Sequence, residues 1–216
     1  MIRETKRIAS NDHTVLKIGY YKGYHGNELS EAISIFSEKY PTVDIQIIVG
    51  SHEEFYHAME NGSVDLALND QRRAFSDAYN NEILAESKIF IEISSRNPLS
   101  KLQHLETEDL KNTTCILVIN QAARNQEQEY YETIVGLHGD FLFADTVQEA
   151  RLKILTGQGY MLADIIGEQV WFDTTVCRIP LTRNAQPVKK TYCAFWKKDN
   201  SGFYIEDFAS ILKTCF

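Results

Sequence analysis

The stretch 16–51, LKIGYYKGYHGNELSEAISIFSEKYPTVDIQIIVGS, constrains the fold more than any other part of the chain. Leu16 to Gly19 reads as a short buried strand, and Tyr20 to Gly26 as a Gly-punctuated loop. Glu28 to Tyr40 reads as an amphipathic helix. Leu29, Ile33, Phe36 and Tyr40 fall at the i, i+4, i+7, i+11 spacing that buries one stripe. Pro41 stops it, and Val43 to Val49 forms a second strand. Strand, loop, helix, strand is one βαβ unit. Its first loop lies at the carboxyl end of the strand, where the free amides of a helix N-terminus favour a ligand carrying negative charge.

The pattern continues. Glu53 to Asn61 reads as a helix with Phe55, Ala58 and Met59 inward and Gly62 as its stop, and Val64 to Leu68 as a third strand. Three strands with helices between them predict a parallel sheet, with the polar ends Tyr21-Lys22, Ser51-His52 and Asn69-Asp70 side by side. Asp77 to Ala85 reads as a loose connection, Lys88 to Ser94 as a strand, Leu105 to Leu110 as a short helix and Cys115 to Ile119 as a buried strand. The βα pattern then restarts. A helix over Gln126 to His138 has Tyr130, Ile134 and Leu137 on one stripe. It is followed by a strand at Phe141–Ala144, a helix at Val147–Thr156 capped by Asp145 or Thr146, and a strand at Tyr160–Ala163. Strands at Val176–Leu181 and Tyr192–Trp196 and a helix at Ile205–Leu212 complete the chain.

Charge narrows the function classes. With 22 basic against 30 acidic residues, the net charge is −8. This argues against direct binding to phosphate backbones, which needs clustered Lys and Arg. Arg72-Arg73, Lys189-Lys190 and Lys197-Lys198 are only pairs and read as solvated surface. No apolar run reaches the ~18 residues of a membrane span, and MIRETKRIASND has no apolar core of a signal peptide. Cys115, Cys177, Cys193 and Cys215 lack C-x-x-C spacing and read as reduced thiols of a cytoplasmic protein. His52 and His57 mimic H-E-x-x-H but stand five apart, so no joint metal site is expected. There is no G-x-S-x-G, P-loop or G-x-G-x-x-G, so no cofactor is expected.

Four stretches together resemble one family. They are the opening unit with FSEKYPTVDIQIIVGS and MENGSVDLAL; Asn97-Pro98-Leu99 followed by Leu105 to Leu110; Gly157 to Leu162; and Phe195 to Asp199 before the last helix. In order and spacing they resemble the effector-binding (regulatory) domain of LysR-type transcriptional regulators, over roughly Val15 to Leu212. The resemblance implies an α/β fold of two Rossmann-like lobes joined by two crossover strands, type 2 periplasmic-binding-protein-like. Lobe I would be 14–92 plus 197–216 and lobe II 93–196, with 1–13 a linker-helix remnant or disordered tail. It also implies a small-molecule effector in a cleft between the lobes and a homodimer, tetrameric when full length. DNA would be read only through an N-terminal winged helix-turn-helix that this sequence lacks. Asn97 and Asp164 depart from the family's usual His and Pro.

The candidate effector contacts are Tyr21, Lys22 and Tyr24 in the first loop, Ser51 and His52 after the second strand, Asn69 after the third, Asn120 and Gln121 in the second lobe, and Tyr160 and Asp164. Lys22 can pair with a carboxylate, the tyrosines can stack on a ring, and the amides can donate and accept. Ser51 equally reads as the N-cap of the helix at Glu53. Family resemblance places Leu29, Ile33, Phe36, Ala150 and Ile154 at the dimer interface. A non-catalytic sensor is the first reading. A solute-binding protein or small enzyme on the same two-lobed fold is the alternative, with His52 and Asp70 as its only acid–base pair.

Overall fold

A computed structural model describes residues 14–21, 24, 27–72, 74–166 and 173–216. In chain order the elements are β1 (Thr14–Tyr21), α1 (Glu28–Lys39), β2 (Val43–Gly50), α2 (His52–Glu60), β3 (Leu66–Asp70), β4 (Tyr79–Ser94), β5 (Leu105–Glu106), β6 (Cys115–Val118), α3 (Arg124–Tyr130), β7 (Phe141–Ala144), α4 (Val147–Leu155), β8 (Tyr160–Ile165), β9 (Val176–Arg183), β10 (Gln186–Pro187), β11 (Lys189–Lys197) and α5 (Phe203–Cys215). The chain divides into two compact units, Met1–Ala85 with Thr191–Phe216, and Glu86–Lys190. Both chain crossings fall inside strands, β4 and β11. The expected lobe limits use the same two strands but lie further along them.

In the first unit β1 pairs in parallel with β2 (Ile18↔Ile47) and with β3 (Ile18↔Leu66). β11 runs antiparallel beside β3, Tyr192 opposite Asp70 and Phe195 opposite Ala67. Leu16 and Ile18 alternate inward along β1 as strand periodicity requires. On α1, Leu29, Ala32 and Phe36 are buried, and α1 packs on α5 through Phe36 and Phe208, whose rings meet edge-to-face at 5.4 Å. Tyr40, expected within the helix, follows it and tilts onto Phe36 at 4.8 Å. Gly19 has a packing reason: a Cβ there would lie 2.7 Å from the Phe55 ring. Only glycine lets α2 seat Phe55 against the sheet.

In the second unit β6 pairs in parallel with β7 and meets β8 at Cys115↔Tyr160. β8 runs antiparallel to β4 (Ile91↔Leu162), as does β9 (Ile91↔Ile179). Ile91, Ile93, Leu105, Leu117, Leu137 and Leu181 form the core. Gly159 takes φ 154°, and a Cβ there would stand 2.1 Å from the Thr114 carbonyl oxygen, so the turn into β8 requires glycine.

Three expectations need correcting. The loose connection at 77–85 is the first half of β4; Asn80, Asn81 and Glu82 hid a strand whose side chains are only half-buried. The helix expected at 126–138 becomes a π turn at Tyr131–Val135, then Gly136 at φ 83°. The wider turn shifts the register, leaving Ile134 58% exposed while Tyr131, Val135 and Leu137 face inward. The helix expected at 105–110 is a 3₁₀ turn, Thr107–Leu110, entered from the two-residue β5. Among the described residues no helix is long and apolar enough to cross a membrane.

Candidate functional site

Because β1, β2 and β3 are parallel, their carboxyl ends share one edge of the first unit's sheet. Tyr21 ends β1 opposite Gly50, Ser51 follows β2, and Asn69 and Asp70 end β3. Ser51 takes the extended N-cap conformation (φ −90°, ψ 171°) and forms a capping box with Glu54, whose carboxylate accepts the Ser51 N–H at 2.6 Å. Phe55 anchors α2 in the core, and Tyr56 packs on Phe195 (5.1 Å) and Tyr79 (5.6 Å). The helix therefore begins at His52 with its next turn packed against the unit's core.

His52 is 4% exposed and Asn69 0%. Asn69 Oδ1 accepts the Asp70 N–H at 2.9 Å, and its Nδ2 lies 3.0 Å from His52 Nδ1. Asp70 is also buried, and both its oxygens accept from Arg72 Nε at 3.0 Å. The Arg72 guanidinium lies 5.4 Å from the Tyr21 ring centroid and donates to the Tyr21 hydroxyl at 3.3 Å. Asn69 and Asp70 are thus strand residues inside the sheet, held by pairing with β11. Arg72, expected on solvated surface, is drawn inward by the buried Asp70 carboxylate. Tyr24 turns into the unit: its hydroxyl hydrogen-bonds the Glu28 carboxylate, and its ring meets Tyr192 at 5.5 Å. Burial, then Glu28, pushes its phenol pKa well above the usual range. Lys22 lies outside the described residues.

In the second unit Asn120 caps the 3₁₀ turn Gln121–Ala123, its Oδ1 accepting the Ala123 N–H at 3.0 Å, and Gln121 is exposed. Tyr160, a candidate contact, is a core residue. Burial and the neighbouring Cys115 push its phenol up. Asp164 pairs with Lys190 at 3.0 Å, and Lys190 also donates to the Tyr131 hydroxyl at 3.0 Å. Lys190 was expected at the surface but is buried. Glu92, which drew no attention in the sequence, is 0% exposed and is clamped by Arg151 (3.0 and 3.1 Å) and Arg178 (2.8 Å).

The residues expected at a dimer face largely serve the chain's own core. Leu29, Phe36, Ala150 and Ile154 are buried within it, and Ile33 is half-buried. The exposed apolar side chains of the same helices are Ile35 on α1 and Leu152, 64% exposed, on α4. His52 and His57 point to different faces, one buried and one exposed.

The family described as LysR substrate binding domain matches residues 10–213. The chain is 32% identical over 103 residues to the transcriptional dual regulator GltC of Bacillus subtilis, covering 47% of this chain and 34% of that one. It therefore spans about a third of the length of that relative. Among solved structures, the regulatory domain of MetR, a LysR family regulator from N. meningitidis, aligns with TM-score 0.73 at 12% identity, covering 94% of this chain and 93% of that one. Full-length BenM aligns with TM-score 0.77 at 16% identity over 98% of this chain and 70% of that one.

Proposed function

The chain belongs to the LysR substrate-binding domain family, and from that premise we propose that it senses a small polar effector at the strand ends of the first unit. The observation that carries this reading is the set of buried polar residues Ser51, His52, Asn69 and Asp70 on one sheet edge. Buried polar groups are costly unless satisfied, and a strand edge beside a helix N-terminus is where α/β folds hold ligands. Glu53 and Glu54 occupy the first turn of α2, and Asp70 is neutralised by Arg72. An anionic effector therefore draws on Lys22 as well as on the amides of α2.

The domain does no chemistry in this reading. His52 Nδ1 stands 3.7 Å from Asp70 Oδ1, beyond a hydrogen bond, and Asp70 is engaged by Arg72. The effector acts by binding one arrangement of the protein better than another. In the whole protein that preference passes to a DNA-binding module in the cytoplasm, through a homodimer that uses the outer faces of α1 and α4 around Ile35 and Leu152.

A thermal-shift screen with carboxylates, amino acids and aromatic acids tests the reading. A ligand at a hundred times its Kd stabilises by about 2.7 kcal/mol. An anionic hit should lose its shift in Lys22→Ala or Ser51→Ala, and an unchanged shift in both variants refutes the anchoring.

A further inference from the structure

We infer that His52 is locked in the Nε2–H tautomer by Asn69 and that this N–H reads an oxygen acceptor on the effector, a carboxylate or keto oxygen with no proton of its own. The inference rests on the strand ends of the first unit being the effector site, and it names the atom that discriminates there.

The argument begins at the backbone. The Asp70 N–H donates to Asn69 Oδ1 at 2.9 Å. Turning the Asn69 amide over would set Nδ2 against that N–H, donor against donor, so its orientation is fixed. Asn69 Nδ2 therefore presents its hydrogens to His52 Nδ1 at 3.0 Å. Nδ1 must accept, and in neutral imidazole the proton then sits on Nε2. Asp70 does not compete for Nδ1, because it stands 3.7 Å away and both its oxygens face Arg72 Nε. Among the described residues His52 Nε2 is shielded from solvent and has no hydrogen-bond partner.

An orphan donor inside a packed unit calls for an explanation in a folded protein. His52 is the first residue of α2, beside the N-cap Ser51, where ligands are held in this kind of sheet. The Tyr56 ring meets the imidazole edge-to-face at 5.4 Å, and Asn69 holds the opposite nitrogen, so the ring cannot turn to satisfy Nε2 by itself. A site that keeps a buried donor waiting for a partner rejects ligands lacking the matching acceptor. The selected effector accepts at this point; an ammonium, which can only donate, is excluded.

A long-range 1H–15N spectrum of the histidine side chains, recorded on the full chain, tests this. The expected pattern is protonated Nε2 and bare Nδ1 at His52. Sodium acetate, against sodium chloride at equal ionic strength, should move the His52 Nε2–H resonance saturably. Acetone in parallel separates a charged from a neutral acceptor, and methylammonium chloride should leave the resonance in place. His52→Gln keeps a donor at the remote position and should retain the acetate response at the Ser51 and Asn69 amides. His52→Leu should weaken it roughly ten- to a hundredfold. If His52→Leu does not fold, Asn69→Asp is the second variant: its carboxylate demands a proton on Nδ1, so the bare Nδ1 of the native pattern should become protonated. A native His52 protonated at Nδ1, or an Nε2–H that ignores acetate and acetone while the Ser51 and Asn69 amides shift, overturns the inference and leaves the effector site standing. Amides at 51, 52 and 69 that respond to neither probe nor to any hit of the thermal screen remove both.

Discussion

Glu92 allows a prediction in which the sign of a mutation depends on its surroundings. The carboxylate is 0% exposed and accepts three charge-assisted hydrogen bonds, at 3.0 and 3.1 Å from Arg151 and 2.8 Å from Arg178. Arg178→Met removes one bond from a largely buried donor and should cost about 1.5–3 kcal/mol. Arg151→Met removes two from a donor that is 37% exposed, so screening should hold its cost to about 1–2 kcal/mol. Removing both arginines leaves a buried carboxylate without its cations, so the second removal should cost more than the first, for a total of about 5 kcal/mol. In the native background Glu92→Leu should destabilise by about 2–4 kcal/mol. In the Arg151→Met/Arg178→Met background it should stabilise, because an apolar side chain replaces an uncompensated charge. Unfolding of a chain with two units need not be two-state, so the assay is native-state hydrogen exchange of the Ile91 and Ile179 amides, which report the second unit. A Glu92→Leu change of the same sign and size in both backgrounds would refute the reasoning.

The other expectations follow from burial and close approach. Gly19→Ala drives a methyl into the Phe55 ring and should lower stability by about 2 kcal/mol, roughly 4–8 °C in Tm; adding Phe55→Leu should recover part of the loss in a thermal melt. Gly159→Ala meets a backbone carbonyl that cannot move aside, so no second substitution should rescue its melting temperature. Burial pushes the Cys115 and Cys193 thiols up to about 12. Both should stay protonated at neutral pH and resist an aromatic disulfide reagent until the chain unfolds, while the half-buried Cys177 and Cys215 react first. In sedimentation at tens of micromolar the chain should run as a dimer, and Ile35→Glu with Leu152→Glu should make it a monomer; a native chain that stays monomeric contradicts the proposed interface.

The parts of the fold legible in the sequence are those fixed by local periodicity. The helix at Glu28–Lys39 shows its 3.6-residue stripe, β1 and β2 show alternation, and Phe141–Ala144 is a short apolar run between turns. The strand ends that carry the candidate site are legible as positions, because they follow from where apolar runs stop. What the side chains there do is not. Asn69 and Asp70 look like loop residues until β11, more than a hundred residues later, pairs with them. Lys190, Arg72 and Glu92 look solvated because a charge is buried only when a distant partner meets it. Tyr24 and Tyr160 look available because nothing local shows that Glu28 and Cys115 claim their hydroxyls. The π turn at Tyr131–Val135 has no pattern of its own, and it reverses which of Ile134 and Val135 faces inward.

Amide chemical-shift mapping of the best hit from the acid screen tests the central claim most directly. The account predicts saturable shifts that are largest at Ser51, His52 and Asn69 and are abolished together by Ser51→Ala. Saturable binding that leaves these three residues unmoved would contradict it.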